Sequence, residues 1–153
     1  MQQRICLFPG TFDPITLGHV DIIKRAVSLF DKLYIGIGLN TSKQPMFSIE
    51  QRKEWIEKIF SDYPQIAVVS YEGLTINYCK ELQAQYILRG IRSIVDFEYE
   101  KAIGDMNRML APEVETIFLA CAPEYSTISS TVVRDVIRNK GNVKSFLPPE
   151  LNL

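Results

Sequence analysis

The sequence has few of the features that would assign it to a membrane, to an oxidising compartment or to long nucleic acids. No apolar run approaches the roughly 20 residues of a membrane-spanning helix, and no signal-peptide pattern precedes the first strand-like segment. The cysteines, Cys6, Cys79 and Cys121, are odd in number and widely spaced, which argues against a disulfide framework or a thiolate metal site. With a net charge of -1, the chain lacks the excess of basic residues that is typical of proteins that bind long nucleic acids through their phosphates. We therefore expect a cytoplasmic protein with reduced thiols and no nucleic-acid or membrane partner.

What the sequence does contain is a regular alternation of short apolar segments with amphipathic ones. Its 153 residues, 46% of them hydrophobic, suit one domain spanning residues 1–153. Apolar, β-rich runs predict five strands, at residues 5–8, 33–39, 66–69, 86–88 and 116–120. Strands alternating with helices predict an α/β fold with a doubly wound, five-stranded parallel sheet. Ligands of such sheets bind beyond the carboxyl ends of the strands.

Capping signals predict where several of the helices begin and end. Ser48 followed by Gln51 resembles a capping box, and Tyr63-Pro64 should end the helix that it opens. That helix should bury Ile49, Ile56, Ile59 and Phe60. Further helices are expected at about 76–82 and 93–110, and a last one capped by Ser129 or Ser130 and ended by Gly141.

The only histidine of the chain, His19, lies where the first strand turns into the first helix. A helix start carries unpaired N–H groups and a partial positive charge, so it binds phosphate readily, and an imidazole there adds a hydrogen-bond donor. Gly10 and Gly18 leave room for a ligand to approach the backbone. The alternative interpretation is a polar residue at a helix start with no role in chemistry.

Other polar residues follow the remaining strands and should meet at the same edge of the sheet. In chain order they are Thr11 and Asp13 after the first strand, Lys43 after the second, Arg89 and Arg92 after the fourth, and residues 126–131 after the fifth. Two guanidinium groups three residues apart form a phosphate clamp, and hydroxyls with free N–H groups at a helix start suit a triphosphate. The sequence therefore predicts an anion site at this edge.

Each of these residues also has a plainer interpretation. Lys43 suits a solvated loop, Arg89 and Arg92 suit surface ion pairs with Asp96 and Glu100, and residues 128–131 suit an ordinary N-cap. The sequence contains no G-x-x-x-x-G-K-[ST] motif, so the phosphate-binding loop that is usual in kinases and ATPases is missing. Gly36 and Gly38 lie inside a predicted strand, so we interpret them as packing positions.

Taken together, the motifs carry a resemblance to a known family. The turn of residues 10–19, the arginine segment of 89–92, the helix segment of 96–100 and the Ile-Ser-Ser-Thr of 128–131 resemble the bacterial phosphopantetheine adenylyltransferases in order and spacing. These enzymes belong to the T/H-x-G-H nucleotidyltransferase superfamily. Leu17 and Thr75 depart from the residues that are commoner in relatives, and Thr75 bears on the contact with the pantetheine arm.

The resemblance implies a Rossmann-like enzyme that transfers AMP from ATP to 4'-phosphopantetheine with Mg²⁺, giving 3'-dephospho-coenzyme A and pyrophosphate. It implies a homohexamer that is inhibited by coenzyme A, and metal carried by the ATP phosphates rather than by protein ligands. By the same resemblance, His19 stabilises the transition state, and the catalytic residues also include Thr11, Lys43 and Arg92. Those implied to bind phosphopantetheine are Thr11, Lys43, Thr75 and Arg89. Those implied to bind ATP are Thr11, Phe12, His19, Gly90, Ile91, Arg92, Glu100, Tyr125, Ser126, Thr127, Ile128, Ser129, Ser130 and Thr131.

The residue types agree with that reaction, because a phosphate acceptor is already mostly ionised near neutral pH and needs no general base. The task left to the protein is to hold two anions in line and to neutralise charge at the reacting phosphorus. Three alternatives remain at this stage. One is a nucleotidyltransferase with another acceptor, such as nicotinate mononucleotide, and the second is a nucleotide-binding regulatory module without turnover. The third, a structural or interaction protein, is the weakest, because it does not explain why the cations collect at one edge of the sheet.

Overall fold

The computed structural model describes residues 3–39 and 44–153, and its strands and helices alternate along the chain. The strands are β1 (Ile5–Gly10), β2 (Lys32–Leu39), β3 (Ile66–Glu72), β4 (Tyr86–Ile91) and β5 (Glu115–Ala120). The α-helices are α1 (Leu17–Ala26), α2 (Ile49–Ile59), α3 (Thr75–Glu81), α4 (Ile94–Leu110) and α5 (Ser130–Arg138). Short 3₁₀ turns at Val27–Leu29, Pro123–Tyr125 and Pro149–Leu151 complete the described elements.

The five strands form one parallel sheet in the order β3-β2-β1-β4-β5. From β1 the chain builds outward through β2 to β3, then returns to place β4 on the other side of β1. The strand order therefore reverses between β1 and β4, and ligands of open α/β sheets bind at such a switch point. The prediction of a doubly wound, Rossmann-like five-stranded parallel sheet is confirmed.

Both faces of the sheet are buried, as an all-parallel sheet requires. Successive side chains of a strand point to opposite faces, and in β1 Cys6 and Phe8 join the larger hydrophobic cluster while Leu7 joins the smaller one with Ile87. Gly36 makes room at the centre, because a Cβ atom there would lie 2.7 Å from the Leu7 side chain. The interpretation of this glycine as a packing position agrees with that geometry.

Three strands extend further than the apolar runs indicate. Residues 5–8, 66–69 and 86–88 were expected, whereas the ladders continue to Gly10, Glu72 and Ile91. The backbone pairing does not depend on side-chain polarity, so Gly10 still pairs with Ile37 and Arg89 with Phe118. As a result Arg89 and Gly90 belong to β4 rather than to the loop beyond it.

The sequence predicts where the helices begin more accurately than where they end. Ser48 caps α2 and accepts from Gln51 N–H, and Ser129 rather than Ser130 caps α5, accepting from Val132 N–H. Helix α2 ends at Ile59, before Tyr63-Pro64, and its most buried residues are Arg52, Trp55 and Ile56. Helix α5 ends at Arg138, where Gly141 N–H bonds to the Val136 carbonyl.

The cysteine thiols are free, with Cys6 and Cys79 buried and Cys121 partly exposed. Burial raises the pKa of the Cys79 thiol to about 12, so it stays protonated and unreactive near neutral pH. None of the helices in the described ranges is both long and apolar enough to cross a bilayer.

Candidate active site

A cleft of about 880 Å³ opens at the carboxyl edge of the sheet, where the strand order reverses. Its walls come from the segments that follow β1, β2, β4 and β5, and it gathers most of the residues predicted from the sequence. The predicted residues that line it are Thr11, Phe12, His19, Arg89, Gly90, Arg92, Glu100, Tyr125, Ile128, Ser129, Ser130 and Thr131. The rule that places ligands beyond the strand ends therefore locates the cleft correctly.

Four predicted residues do not line this cleft. Thr75 begins α3, and its hydroxyl lies 2.8 Å from the Tyr71 hydroxyl. Ile91 lies at the end of β4, and Ser126 and Thr127 lie in the turn between β5 and α5. Lys43, predicted to bind the acceptor phosphate, falls outside the described residues.

His19 is held at the start of α1 by its own helix cap. It occupies the third position after the cap residue Thr16, and its Nδ1 accepts from Thr16 N–H at 3.1 Å with the Thr16 hydroxyl at 3.0 Å. In a capping box a Glu or Gln makes this reciprocal bond, so here the imidazole replaces them. Because Nδ1 accepts a hydrogen bond from the backbone, the ring proton lies on Nε2.

The imidazole is neutral at physiological pH. Burial is the main cause, and the nearby guanidinium groups of Arg92 and Arg89 add to it, so that the pKa of His19 falls to about 4. No residue within 3–39 or 44–153 accepts a hydrogen bond from Nε2. The site therefore presents a fixed, uncharged N–H donor to the cleft, and an anion bound there would favour the imidazolium form. The capping role and the ligand-binding role of His19 are thus compatible.

The turn between β1 and α1 is tightly packed. Phe12 and Ile15 are almost fully buried, and Phe12 has a left-handed φ of 46°. The Phe12 ring lies against Gly10, where a Cβ atom would come within 2.9 Å of it, and meets the His19 ring edge to face at a centroid distance of 5.1 Å. The glycine is needed for this close approach, and the packing fixes the ring of His19 from a second side.

Arg89 is fixed by three hydrogen bonds before any ligand arrives. Its Nε and Nη2 form a fork with the Glu100 carboxylate at 2.7 and 2.6 Å, and Nη1 donates to the Pro9 carbonyl at 2.6 Å. The Glu100 side chain is only 12% exposed, so the pair is poorly screened by solvent. The predicted ion pair therefore exists, yet it lines the cleft rather than an open surface.

Arg92 is held more loosely at the rim. Its Nε lies 2.9 Å from the Asp96 carboxylate, and its Nη1 donates to the Ile128 carbonyl at 3.3 Å. Both side chains of the pair are more exposed than those of Arg89 and Glu100. This contact joins the β4 side of the cleft to the segment that leads into α5.

The start of α5 contributes backbone donors. Ser129 caps the helix, and Ser130 donates from its hydroxyl to the Pro14 carbonyl at 2.8 Å, which ties α5 to the turn after β1. The first N–H groups of a helix have no partner within it. The N-cap interpretation of this segment is correct, and Ser129, Ser130 and Thr131 at the start of the helix also line the cleft.

Sequence reasoning assigned no role to three arginines that line the cleft, Arg52, Arg134 and Arg138. Arg52, only 4% exposed, donates from Nη1 to the Thr11 carbonyl at 2.7 Å, and Arg134 donates to the Asp13 carbonyl at the same distance. Burial lowers the pKa of Arg52, which stays charged. The sequence did contain a signal that Arg52 is buried, because Arg52 lies on the face of α2 between Ile49 and Ile56, where an apolar residue is expected.

Three carboxylates that line the cleft, Asp13, Asp96 and Glu100, are engaged with protein groups. Within the described ranges, no group of three or more His, Cys, Asp or Glu side chains is placed to hold an ion. Mg²⁺ binds through one or two carboxylates together with substrate phosphates and water rather than in an all-protein cage. The arrangement thus suits an ion that arrives on a polyphosphate as part of the substrate.

Comparison with known proteins agrees with this geometry. Residues 7–136 match the family model described as cytidylyltransferase-like. A phosphopantetheine adenylyltransferase of Flavobacterium psychrophilum is 55% identical over 146 residues, which cover 95% of this chain and 96% of the relative. Proteins of the same name from Bacteroides thetaiotaomicron and Synechococcus elongatus are 44% and 48% identical, over 99% and 93% of this chain and 99% and 86% of their own lengths.

Both the length of these matches and their level of identity exceed what a shared fold alone produces. The matched region also contains the turn of His19, the arginine segment and the start of α5, which are the parts that build the cleft. The chain belongs to the cytidylyltransferase-like family and, within it, to the phosphopantetheine adenylyltransferases.

Proposed function

We propose that this chain transfers the adenylyl group of ATP to 4'-phosphopantetheine, releasing pyrophosphate and forming 3'-dephospho-coenzyme A, the penultimate step of coenzyme A synthesis. The observation that carries the proposal is the meeting of a neutral, preoriented His19 donor with Arg89, Arg92 and the start of α5 in one cleft. Family membership supplies the identity of the two substrates.

The reaction needs two anions to be held in line, with the acceptor phosphate oxygen facing the α-phosphorus of ATP. An acceptor oxygen attacks that phosphorus, a P–O bond forms, and the bond to the leaving pyrophosphate breaks. The acceptor phosphate has a second pKa of about 6, so it is largely ionised at pH 7 and no side chain must remove a proton. Positioning and charge stabilisation are therefore the work of the protein.

The roles in this proposal are those that the resemblance to the family implies, and most of the residues concerned line the cleft. His19 Nε2–H donates to the α-phosphate, whose negative charge increases as the new bond forms, and Thr11 lies beside it in the cleft. Arg89 and Thr75 belong to the acceptor side together with Lys43. The residues assigned to ATP are Phe12, Gly90 to Arg92, Glu100 and residues 125–131. Among these, Arg92 and the first N–H groups of α5 are the donors suited to the ATP phosphates.

Mg²⁺ enters as part of the nucleotide substrate, bound to the ATP phosphates. Two carboxylates of the cleft already have cationic partners, since Glu100 pairs with Arg89 and Asp96 with Arg92. The ion supplies charge neutralisation at the phosphates, and the residues described above orient those phosphates.

The proposal extends to assembly and regulation. Helix α4 exposes a set of large apolar side chains that a monomer would leave in water, among them Ile94, Val95, Met106 and Met109, the last 83% exposed. Exposed apolar side chains of this kind are typical of protein interfaces. They support an assembly of several chains, and the resemblance to the family implies that this assembly is a homohexamer. We also include feedback inhibition by coenzyme A, a cytoplasmic location and one domain over residues 1–153 in the proposal.

The direct test is a pyrophosphate-release assay with purified protein, Mg²⁺-ATP and a panel of acceptors. We expect release with 4'-phosphopantetheine and only background with nicotinate mononucleotide or with dephosphorylated pantetheine. Mass spectrometry of the reaction mixture should then detect 3'-dephospho-coenzyme A. Binding of ATP without pyrophosphate release from any acceptor would favour a regulatory nucleotide-binding module and contradict the proposal.

A further inference from the structure

Asp13 is a buried carboxylate with an unusual set of partners. The residue is 5% exposed, and its two carboxylate oxygens accept backbone N–H bonds from Met46 at 2.8 Å and Phe47 at 2.9 Å. These two donors belong to the segment of residues 44–47 that leads into α2. Hydrogen bonds to an ionised acceptor are stronger than neutral ones, so the carboxylate fixes this segment against the turn after β1.

The main chain of the same residue is held from the opposite side of the cleft. Arg134 of α5 donates from Nη1 to the Asp13 carbonyl at 2.7 Å and from Nη2 to the Thr131 hydroxyl at 3.3 Å. Its guanidinium also lies 4.0 Å from the Asp13 carboxylate. One residue thus joins the segment before α2 to α5, and it lies in the turn that carries Thr11.

The segment that Asp13 holds is part of the cleft wall. Gln44 and Pro45 line the cleft, and Gln44 directly follows Lys43 in the sequence. Arg52, one turn into α2, reaches back to the Thr11 carbonyl and joins the same two segments a second time. The Asp13 carboxylate and the Arg52 guanidinium therefore hold a part of the cleft wall that follows the predicted acceptor lysine directly in the sequence.

A negative charge at this place works against anion binding. Asp13 lines a cleft whose proposed ligands are phosphates, so its charge by itself weakens their affinity. The hydrogen bonds explain why a carboxylate lies here. Met46 N–H and Phe47 N–H donate to different oxygens of Asp13, and an amide side chain would place an NH₂ group, itself a donor, against one of them.

We propose that Asp13 is a positioning residue, which sets the affinity for the acceptor by fixing residues 44–47 against the phosphate-binding turn. The proposal rests on the proposed function for the identity of the acceptor. An experiment can distinguish this positioning role from a simple charge effect, because the two predict opposite changes in the affinity for the acceptor. Removing only the charge would tighten the binding of both anionic substrates, whereas releasing the segment weakens binding of the acceptor.

The test compares Asp13→Asn with the wild-type protein in the pyrophosphate-release assay. We expect KM for 4'-phosphopantetheine to rise about 10- to 100-fold, as a displacement of about 1 Å in a binding wall produces, while KM for ATP and kcat change little. Amide hydrogen exchange should become faster at Met46 and Phe47 and stay unchanged in the β-sheet.

Asp31→Asn is the matched control. Asp31 also accepts from a backbone N–H, that of Arg4 at 2.7 Å, and pairs with a guanidinium, but it lies at the opposite edge of the sheet. It should leave both KM values unchanged. Equal increases in both KM values for Asp13→Asn, or a decrease in the acceptor KM, would overturn the proposal.

A second variant covers the case in which Asp13→Asn does not fold. Pro45→Gly changes an exposed residue and loosens the same segment without altering the carboxylate. It should raise the acceptor KM selectively, by less than Asp13→Asn, and an unchanged acceptor KM would count against the proposal. Lack of turnover by the wild-type protein would instead reject the proposed function, while the exchange measurement would still show whether Asp13 holds the segment.

Discussion

The two halves of the cleft hold their polar groups in different ways. In the β1 half, formed by residues 11–19, the partners are mostly backbone groups, and His19 is a neutral donor whose orientation is set by Thr16. In the β4 half, formed by residues 89–100, each arginine is paired with a carboxylate of α4. The first half presents a donor for which the described part of the chain offers no competing acceptor. The second holds its positive charge in ion pairs that an incoming phosphate must share or displace.

A further difference lies within the β4 half. Arg89 is locked by a bidentate pair and by the Pro9 carbonyl, while Arg92 has a more exposed pair. Bidentate geometry and burial favour a fixed orientation, and exposure favours exchange of partners. We infer that Arg89 binds a ligand with little rearrangement and that Arg92 changes partners when ATP binds.

The largest effect should come from the β1 half. His19→Ala should lower kcat by roughly 10²- to 10³-fold, the usual loss when one preorganised donor is removed, while substrate binding changes less. Steady-state pyrophosphate release measures this, and circular dichroism checks that the variant folds. Turnover near the wild-type rate would remove His19 from the mechanism.

His19→Gln separates the two roles of the imidazole. Glutamine at this position restores an acceptor for Thr16 N–H, as in a capping box, but places its donor elsewhere. The thermal midpoint of this variant should therefore exceed that of His19→Ala, with little recovery of kcat. Parallel recovery of both would mean that His19 acts only through the helix start.

A smaller effect is expected in the β4 half. Arg89→Ala should weaken binding of 4'-phosphopantetheine about 10- to 100-fold, since a hydrogen bond to a charged group contributes about 1.5 to 3 kcal/mol, and should leave ATP binding nearly unchanged. Calorimetric titration of each ligand measures the two affinities. Weaker ATP binding with unaltered acceptor binding would reject the assignment.

The matched variant for this experiment is Arg89→Ala combined with Glu100→Gln. Removing the arginine alone leaves the Glu100 carboxylate buried without its partner, which destabilises the fold. The double variant removes that charge, so it should recover stability without recovering acceptor affinity. This outcome separates ligand binding from the structural role of the pair.

The smallest effect tests the electrostatic link between the two halves. As the only histidine, His19 gives directly assignable imidazole resonances, whose titration should show a pKa of about 4. Arg92→Met should raise this pKa, because it removes one of the cations that oppose protonation, but not to 6.5, because burial remains the main cause. Bound pyrophosphate should also raise it.

Arg138→Met provides the control for this titration. It removes an equal charge from a residue that lines the cleft but is not among those that lower the pKa of His19. An unchanged titration in Arg138→Met together with a shifted one in Arg92→Met would confirm the link. A wild-type pKa near 6.5 would show that His19 is not shielded from solvent in the way that the geometry indicates.

The sequence predicted the architecture and the place of the cleft well because both follow from local patterns. Apolar runs separated by amphipathic helices define the parallel sheet, and the polar residues after β1, β4 and β5 do converge at one edge. The predicted ends of the strands were less accurate, because backbone pairing continues through Gly10 and Arg89 whatever their side chains.

What could not be predicted depends on contacts between distant segments. That Asp13 holds Met46 and Phe47, or that Arg52 reaches Thr11, requires the relative placement of α2 and the turn after β1. Likewise the sequence offered ion pairs and phosphate binding as alternatives for Arg89, whereas in three dimensions the Glu100 pair itself lies in the cleft. Spacing alone gives no information on such arrangements.

The contact between Gly10 and Phe12 has a consequence for how this region can vary. Any side chain at position 10 would meet the aromatic ring, and the left-handed backbone at position 12 disfavours branched residues while the core demands a large apolar one. Neither position can accept most substitutions unless the other changes as well. Variation at the two sites should therefore be coupled, and a mutation at one would be tolerated only in a background already altered at its neighbour.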